Sequence, residues 1–398
     1  MVAEMKLGEN KFLFFTLRSA FYTGLVSGIW RQEQSLQRWA YKIAFWIVFY
    51  YLVAYHLTQW LMLTKLLTEP SLDFDEIIRN YFITSIYLMT LTKCAFIQGH
   101  KCQKFLTDIL EFERKVYASN DTRLHSIYDR NVRLIRRTNV AFLSGFTLVF
   151  FFYVAAPLLR AGKIVVRNNS TILIKQLPIS TWTPFDETEY TQAFAWVSCN
   201  CFLFTIYFIL ADTIMFSLIV FALCQIDVLK HSIKGIADSV DDIDRAMNDV
   251  QIKCIALHQE IIRYVLELNA SIKSIMLLDF LQSSIQLAAI MFQLVSNFSL
   301  IQCILLGEFT LTLIGRLYIY YSNAHELMIQ SSDIATAWFQ SGWLGYPLKF
   351  RRNIIFCIQR SQQPLQLTIG NFQAVSLNSF ISILKATYSF MTLLVTRG

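Results

Sequence analysis

The run AFAWVSCNCFLFTIYFILADTIMFSLIVFALC, Ala193 to Cys224, carries one formally charged residue, Asp212, in 32 positions. At 1.5 Å per residue a helix of that length is about 48 Å long, more than the roughly 30 Å of hydrocarbon in a bilayer. It is expected to tilt or to project beyond the membrane. Six further runs flank it, at Ile43 to Leu63, Ile77 to Phe96, Asn139 to Leu159, Ile275 to Val295, Phe298 to Tyr321 and Val375 to Val395. Only Ser296 and Asn297 separate the fifth run of the chain from the sixth, which implies a tight antiparallel helical hairpin.

Composition agrees with this pattern. Hydrophobic residues make up 55% of the 398 and charged residues 16%, against about 25% charged in soluble domains. The fold class read from the sequence is all-α: one polytopic membrane domain over residues 1–398 with seven transmembrane helices. Glu4, Lys6, Glu9, Lys11 and Arg18 interrupt any early apolar run, so no cleavable signal peptide is expected and the first span must direct insertion.

The net charge of +7 does not point to nucleic acid, because the basic residues are dispersed between apolar runs. Their placement reads as topology instead. The amino-terminal segment and the second, fourth and sixth loops hold 25 of the 35 Lys and Arg, which predicts an intracellular amino terminus and an extracellular carboxy terminus. The sequons at Asn168, Asn169 and Asn297 fall in loops then external, whereas those at Asn120 and Asn269 face the cytoplasm.

Two loops assigned to the cytoplasm carry helical apolar stripes: Phe105, Leu106, Ile109, Leu110, Phe112 and Val116, then Ile226, Leu229, Ile233, Ile236, Val240 and Ile243. They read as inward extensions of the membrane helices. Such stripes need a partner, within the subunit or across a subunit interface. The eight cysteines form no CxxC pair and read as buried free thiols, with a link from Cys199 or Cys201 to Cys303 as the minor alternative.

Charged residues inside the runs are Lys93, Asp212, Asp279, Glu308 and Arg316. Lys93 and Arg316 sit toward the inner ends of their spans, where snorkelling is the expected behaviour, and the three carboxylates are expected to pair within the bundle.

Three blocks close the chain: YYSNAHELMIQSSDIATAWFQSGW from Tyr320, PLKFRRNIIFCIQRSQQPLQLTIG from Pro347, and VSLNSFISILKATYSFMTLL from Val375. In this order, with Tyr321, Ser322, Asn323, Glu326, Trp338, Trp343, Arg351, Arg352 and Pro364, they resemble the carboxy-terminal signature of the insect odorant receptors. The resemblance implies an odour-gated, non-selective cation channel in the plasma membrane of a sensory neuron dendrite. It also implies a heterotetramer of tuning subunits with a common odorant coreceptor, and no cofactor. This chain lacks the long fourth-to-fifth loop insertion of the coreceptor and so resembles a tuning subunit.

By the same resemblance, a volatile ligand binds in the outer half of the bundle, with Phe82, Ile86, Met89, Phe150, Tyr153, Val154, Trp196, Val197 and Asn200 as candidate lining residues. The seventh span would border the pore, with Ser389, Thr392 and Thr396 on one helical face. Those hydroxyls could instead bond carbonyls of the preceding turn.

No HExxH, GxSxG or phosphate-cradling glycine loop supports an enzyme. A gustatory receptor channel is the nearer alternative, since Thr387 and Tyr388 are similar to the gustatory ending. A G-protein-coupled receptor would need the opposite orientation and an acidic-Arg-Tyr motif where Leu159, Arg160 and Ala161 stand.

Overall fold

The computed structural model describes residues 35–69, 74–159, 163–167, 170–174, 177–185, 189–235, 243–296, 300–345 and 347–397. The described residues form long helices: α1 (Ser35–Thr68), α2 (Phe74–Gln98), α3 (His100–Ala118), α4 (Thr122–Leu159), α5 (Tyr190–Gly235), α6 (Ile243–Ser296), α7 (Leu300–Phe339), α8 (Leu348–Ser361) and α9 (Leu377–Arg397). Strands β1 (Lys163–Arg167) and β2 (Ser170–Ile174) pair antiparallel, with Arg167 opposite Ser170. Two short strands, β3 (Thr368–Ile369) and β4 (Gln373–Ala374), make a second hairpin between α8 and α9.

The apolar run Ala193–Cys224 forms the central mast. α5 touches α1, α2, α3, α4, α6 and α7, and every residue from Ile209 to Ile226 is buried. A helix that is apolar on all faces is one that other helices surround. The run is therefore long because α5 is wrapped in protein beyond the bilayer, continuing to Gly235. α4, α6 and α7 likewise extend to 38, 54 and 40 residues, about 57, 81 and 60 Å.

Five helices among the described residues, α1, α4, α5, α6 and α7, are long and apolar enough to cross a membrane. α2 and α9 are more polar: α2 carries Asn80, Thr84, Ser85, Thr90, Thr92 and Lys93, and α9 carries Asn378, Ser379, Ser382, Lys385, Thr387 and Ser389. α1 shows the opposite character. Trp39, Ile43, Trp46, Ile47, Tyr50, Leu57 and Leu61 are exposed along it, an apolar surface that suits lipid.

The long helices gather with α3 at one end of the bundle, here the extended end; the β1–β2 hairpin and residues 177–185 mark the other. Gly99 breaks the chain between α2 and α3, and its amide donates to the Phe96 carbonyl at 2.9 Å. The α3 stripe finds its partner inside the chain: Phe105 meets the Tyr264 ring edge-on at 5.3 Å, and Phe112 meets Phe221 at 5.4 Å. Ile226, Leu229 and Ile233 are also buried, whereas Ile236 and Val240 lie outside the described residues.

Asp121 caps α4, accepting from the amides of Arg123 at 2.8 Å and Leu124 at 3.1 Å. With His231 also bonded to it at 2.8 Å, its carboxyl is held below the usual carboxylate range. The eight cysteines are free thiols, six of them buried, and Cys199, Cys201 and Cys303 are not bridged. Asn269 is engaged by Thr368, whose amide donates to its Oδ1 at 2.8 Å. Asn168, Asn169 and Asn297 lie outside the described residues.

The β3–β4 hairpin ties the start of α9 to α6, since the Gly370 amide donates to the Lys273 carbonyl at 2.9 Å. Gly370 has φ +57, and a Cβ there would lie 3.2 Å from Leu277 Cδ2. Left-handed backbone costs a non-glycine residue roughly 1–2 kcal/mol. Gly370→Ala is accordingly expected to lower stability by about that amount, read as a drop in the melting temperature of the detergent-solubilised protein; an unchanged melt would contradict the role assigned to this turn.

Candidate functional site

Four helices, α2, α5, α6 and α7, each place one charged side chain at a common level of the core. Lys93 donates from Nζ to Asp212 Oδ1 at 2.5 Å and reaches Asp279 Oδ1 at 3.4 Å. Arg316 donates from Nη1 to Asp212 Oδ2 at 3.2 Å, and from Nη2 to Asp279 Oδ1 at 3.0 Å and Ser283 Oγ at 3.4 Å. The side chains of Lys93, Asp212, Asp279 and Arg316 are 2, 0, 7 and 5% exposed.

This arrangement corrects the expected snorkelling of Lys93 and Arg316. Both heads turn into the core because two carboxylates already stand there, and an unpaired carboxylate in the core would cost more than drawing the cations inward. Tyr320 completes the cluster. Its hydroxyl donates to the Asp212 carbonyl at 2.6 Å, and both cations lie 5.9 Å from its ring centroid, within cation–π range. Glu308 stands apart from the cluster, half-buried, accepting from Thr312 Oγ1 at 3.1 Å.

Immediately above the ion cluster lies a cavity of about 100 Å³, with Lys93, Asp279 and Arg316 in its wall. The rest is mainly aromatic and aliphatic. α2 supplies Phe82, Ile83, Ile86, Tyr87 and Met89; α4 supplies Phe146, Val149, Phe150 and Tyr153; α5 supplies Cys201, Phe204, Thr205 and Phe208. α6 adds Gln282 and Gln286, and α7 adds Phe309 and Leu313. The helical repeat explains the lining: 146, 149, 150 and 153 share one face of α4, and 309, 313 and 316 one face of α7.

At the hairpin end the cavity is capped. Residues 177–185 cross the bundle there, held by the Asn80 Nδ2 donation to the Ser180 carbonyl at 2.7 Å and the Trp182 amide donation to the Thr58 carbonyl at 3.5 Å. Ile179, from this segment, is buried and lines the cavity. Phe82 and Phe309 pack edge to face at 4.8 Å, with Tyr153 6.3 Å from Phe309. The mainly apolar wall with a few polar groups suits a small uncharged molecule.

A family profile described as 7tm Odorant receptor matches residues 73–388, well over half of the chain. The chain belongs to the odorant receptor family. Odorant receptor 10 of Aedes albopictus is 25% identical over 339 residues, covering 81% of this receptor and 84% of its own length. Odorant receptor Or2 of Anopheles gambiae is 25% identical over 331 residues, with 81% and 85% covered. Among solved structures, the insect olfactory receptor OR5 of Machilis hrabei in complex with eugenol superposes with a TM-score of 0.80. It shares 14% identity and covers 96% of this chain and 98% of its own, a likeness that shows the fold alone. The receptor is an all-α multi-pass membrane protein of a sensory family rather than of an enzyme family.

Of the nine ligand candidates read from the sequence, the fold brings five to the cavity wall: Phe82, Ile86, Met89, Phe150 and Tyr153. The other four stand elsewhere. Trp196 packs on Tyr55 at 5.1 Å, Val197 is fully buried among helices, and Asn200 donates to the Trp196 carbonyl at 2.8 Å. Val154 is half-buried on α4 away from the lining. All but Val154 sit on the first turns of α5, nearer the hairpin end than Cys201 and Phe204. Gln282, Gln286, Phe309 and Leu313 were missed. The i, i+4, i+7 spacing of Phe309, Leu313 and Arg316 was the available signal; Ile179, in a loop, had none.

On α9, Ser389 and Thr392 are exposed, and their hydroxyls donate to the carbonyls of Lys385 at 3.1 Å and Ser389 at 2.9 Å. The Thr396 side chain lies outside the described residues.

Proposed function

We propose that this receptor is a tuning subunit that binds a volatile ligand in the capped cavity and, with an odorant coreceptor, gates a non-selective cation channel in the plasma membrane of sensory dendrites. The observation that carries the ligand part is the aromatic-lined cavity between α2, α4, α5, α6 and α7, in a chain of the odorant receptor family. Eugenol in the solved OR5 structure is consistent with a small volatile as ligand. α2 and α9 join the five apolar helices as membrane spans, giving seven, with the amino terminus inside and the carboxy terminus outside.

Assembly is supported by apolar side chains left exposed near the extended end and on α9. Ile252 and Leu266 of α6, Ile355 and Phe356 of α8, and Ile381, Leu384 and Tyr388 of α9 are exposed. In a heterotetramer these would meet neighbouring subunits, and Ser389, Thr392 and Thr396 would border the shared pore.

Patch-clamp recording from cells expressing both chains tests the reading. Odorants should evoke a cation current that survives without nucleotide and under G-protein block. A response abolished by that block would refute it.

A further inference from the structure

We propose that the cavity selects a neutral volatile with an apolar, ring-sized body and a single hydrogen-bonding oxygen or nitrogen function, whose polar head seats against the Arg316–Asp279 end. The inference rests on the reading of the cavity as the ligand site and names the class of ligand. It comes from the uneven distribution of chemistry along the wall. The hairpin end is built of Phe82, Tyr153 and Phe309, whereas the other end is closed by Lys93, Asp279 and Arg316.

The two ends make different demands on an occupant. Two cations and two carboxylates sum to zero, so the cluster offers no compensation to a ligand with a formal charge, which would have to shed its hydration without a counterion. A pure hydrocarbon also fits poorly there. It would press apolar atoms against groups whose hydrogen-bonding capacity is not exhausted: Arg316 is 95% buried and its Nε has no hydrogen-bond partner. Gln282 and Gln286 add amide groups along the α6 wall, and Gln286 Nε2 is held only by long bonds of 3.3 Å to the Phe82 carbonyl and Ser85 Oγ. A hydroxyl or carbonyl on the ligand can use this unspent capacity, and its ring can pack among the aromatic side chains.

Four probes of nearly equal size separate the terms: ethylbenzene, benzyl alcohol, benzaldehyde and protonated benzylamine. Binding to the purified full-length receptor in detergent is read from ligand-induced thermal stabilisation. Benzyl alcohol or benzaldehyde is expected to bind at least about tenfold more tightly than ethylbenzene, the worth of one hydrogen bond to a charged group, and benzylammonium more weakly than either. Arg316→Lys keeps the charge sum and removes Nε, so it should shrink that advantage. Gln286→Leu is the second variant should Arg316→Lys fail to fold.

Equal or tighter binding of ethylbenzene, tightest binding of benzylammonium, an advantage unchanged in both variants, or no binding by any probe would overturn the inference. Ile86→Trp, which obstructs the cavity, distinguishes the underlying reading. If it weakens all four probes without any polar preference in the parent, only the ligand class is wrong. If it changes none, the cavity is not where they bind.

Discussion

Asp212→Ala is expected to abolish folded receptor at the cell surface. Asp212 is fully buried and holds both cations, Lys93 through Oδ1 and Arg316 through Oδ2. Removing it leaves two buried positive charges facing one carboxylate. Breaking a buried ion pair by deleting one partner costs about 3–5 kcal/mol, enough to consume much of the stability of an ordinary domain. The same argument predicts rescue: Lys93→Met combined with Asp212→Leu removes one charge of each sign and leaves the Arg316–Asp279 pair, whose atoms are 3.0 Å apart. The double variant should regain most of the surface expression lost in either single one. Surface biotinylation of Asp212→Ala, Lys93→Met, Asp212→Leu and the double variant reads this directly. Wild-type levels of Asp212→Ala, or a double variant no better than the singles, would contradict the network as described.

The second large effect is expected at the cavity itself. Ile86 is half-buried on α2 and borders the space, so Ile86→Trp should place an indole where a ligand would sit. The added bulk enters a void rather than a filled core, so the usual overpacking penalty of about 1–3 kcal/mol should be reduced and the protein should still reach the surface. Odorant-evoked current should fall by a hundredfold or more at equal surface density. Val154→Trp, a matched change on α4 away from the lining, should shift sensitivity by less than threefold. Equal losses in the two variants would mean that the cavity has no special standing.

Much of this architecture could be read from residue patterns, and the parts that could not share a physical cause. The apolar run Ala193–Cys224 announced a membrane helix, but whether lipid or protein covers an apolar face is not written in the face itself. The full burial of Ile209–Ile226 depends on where six other helices settle. The α3 stripe was legible because amphipathic periodicity marks the buried side directly: Phe105, Leu106, Ile109, Leu110 and Val116 are buried and Phe112 is half-buried.

The ion cluster was the hardest feature to foresee. Lys93 meets Asp212 across 119 residues of chain and Asp279 across 186, and Lys93 and Arg316 each fit a bland role near the inner end of their own spans. Periodicity is a property of one helix, whereas charge compensation here is a property of four. The cavity divides in the same way. Phe82, Ile86 and Met89 followed from the depth that the family resemblance implies, but on α5 that depth was set too near the hairpin end, and Cys201, Phe204 and Phe208, further along the helix, face the space in place of Trp196, Val197 and Asn200.

The cluster forms one end of the cavity, with Lys93, Asp279 and Arg316 in its wall. On this account the cavity, the residues 177–185 that close it and the charges beneath it form one ligand chamber.

Electron microscopy of the receptor saturated with an activating odorant tests that most directly. Ligand density should lie between Phe82, Tyr153 and Phe309, with its polar end toward Arg316 and Asp279. Density on the outer surface of the bundle, with the chamber unfilled, would contradict the account.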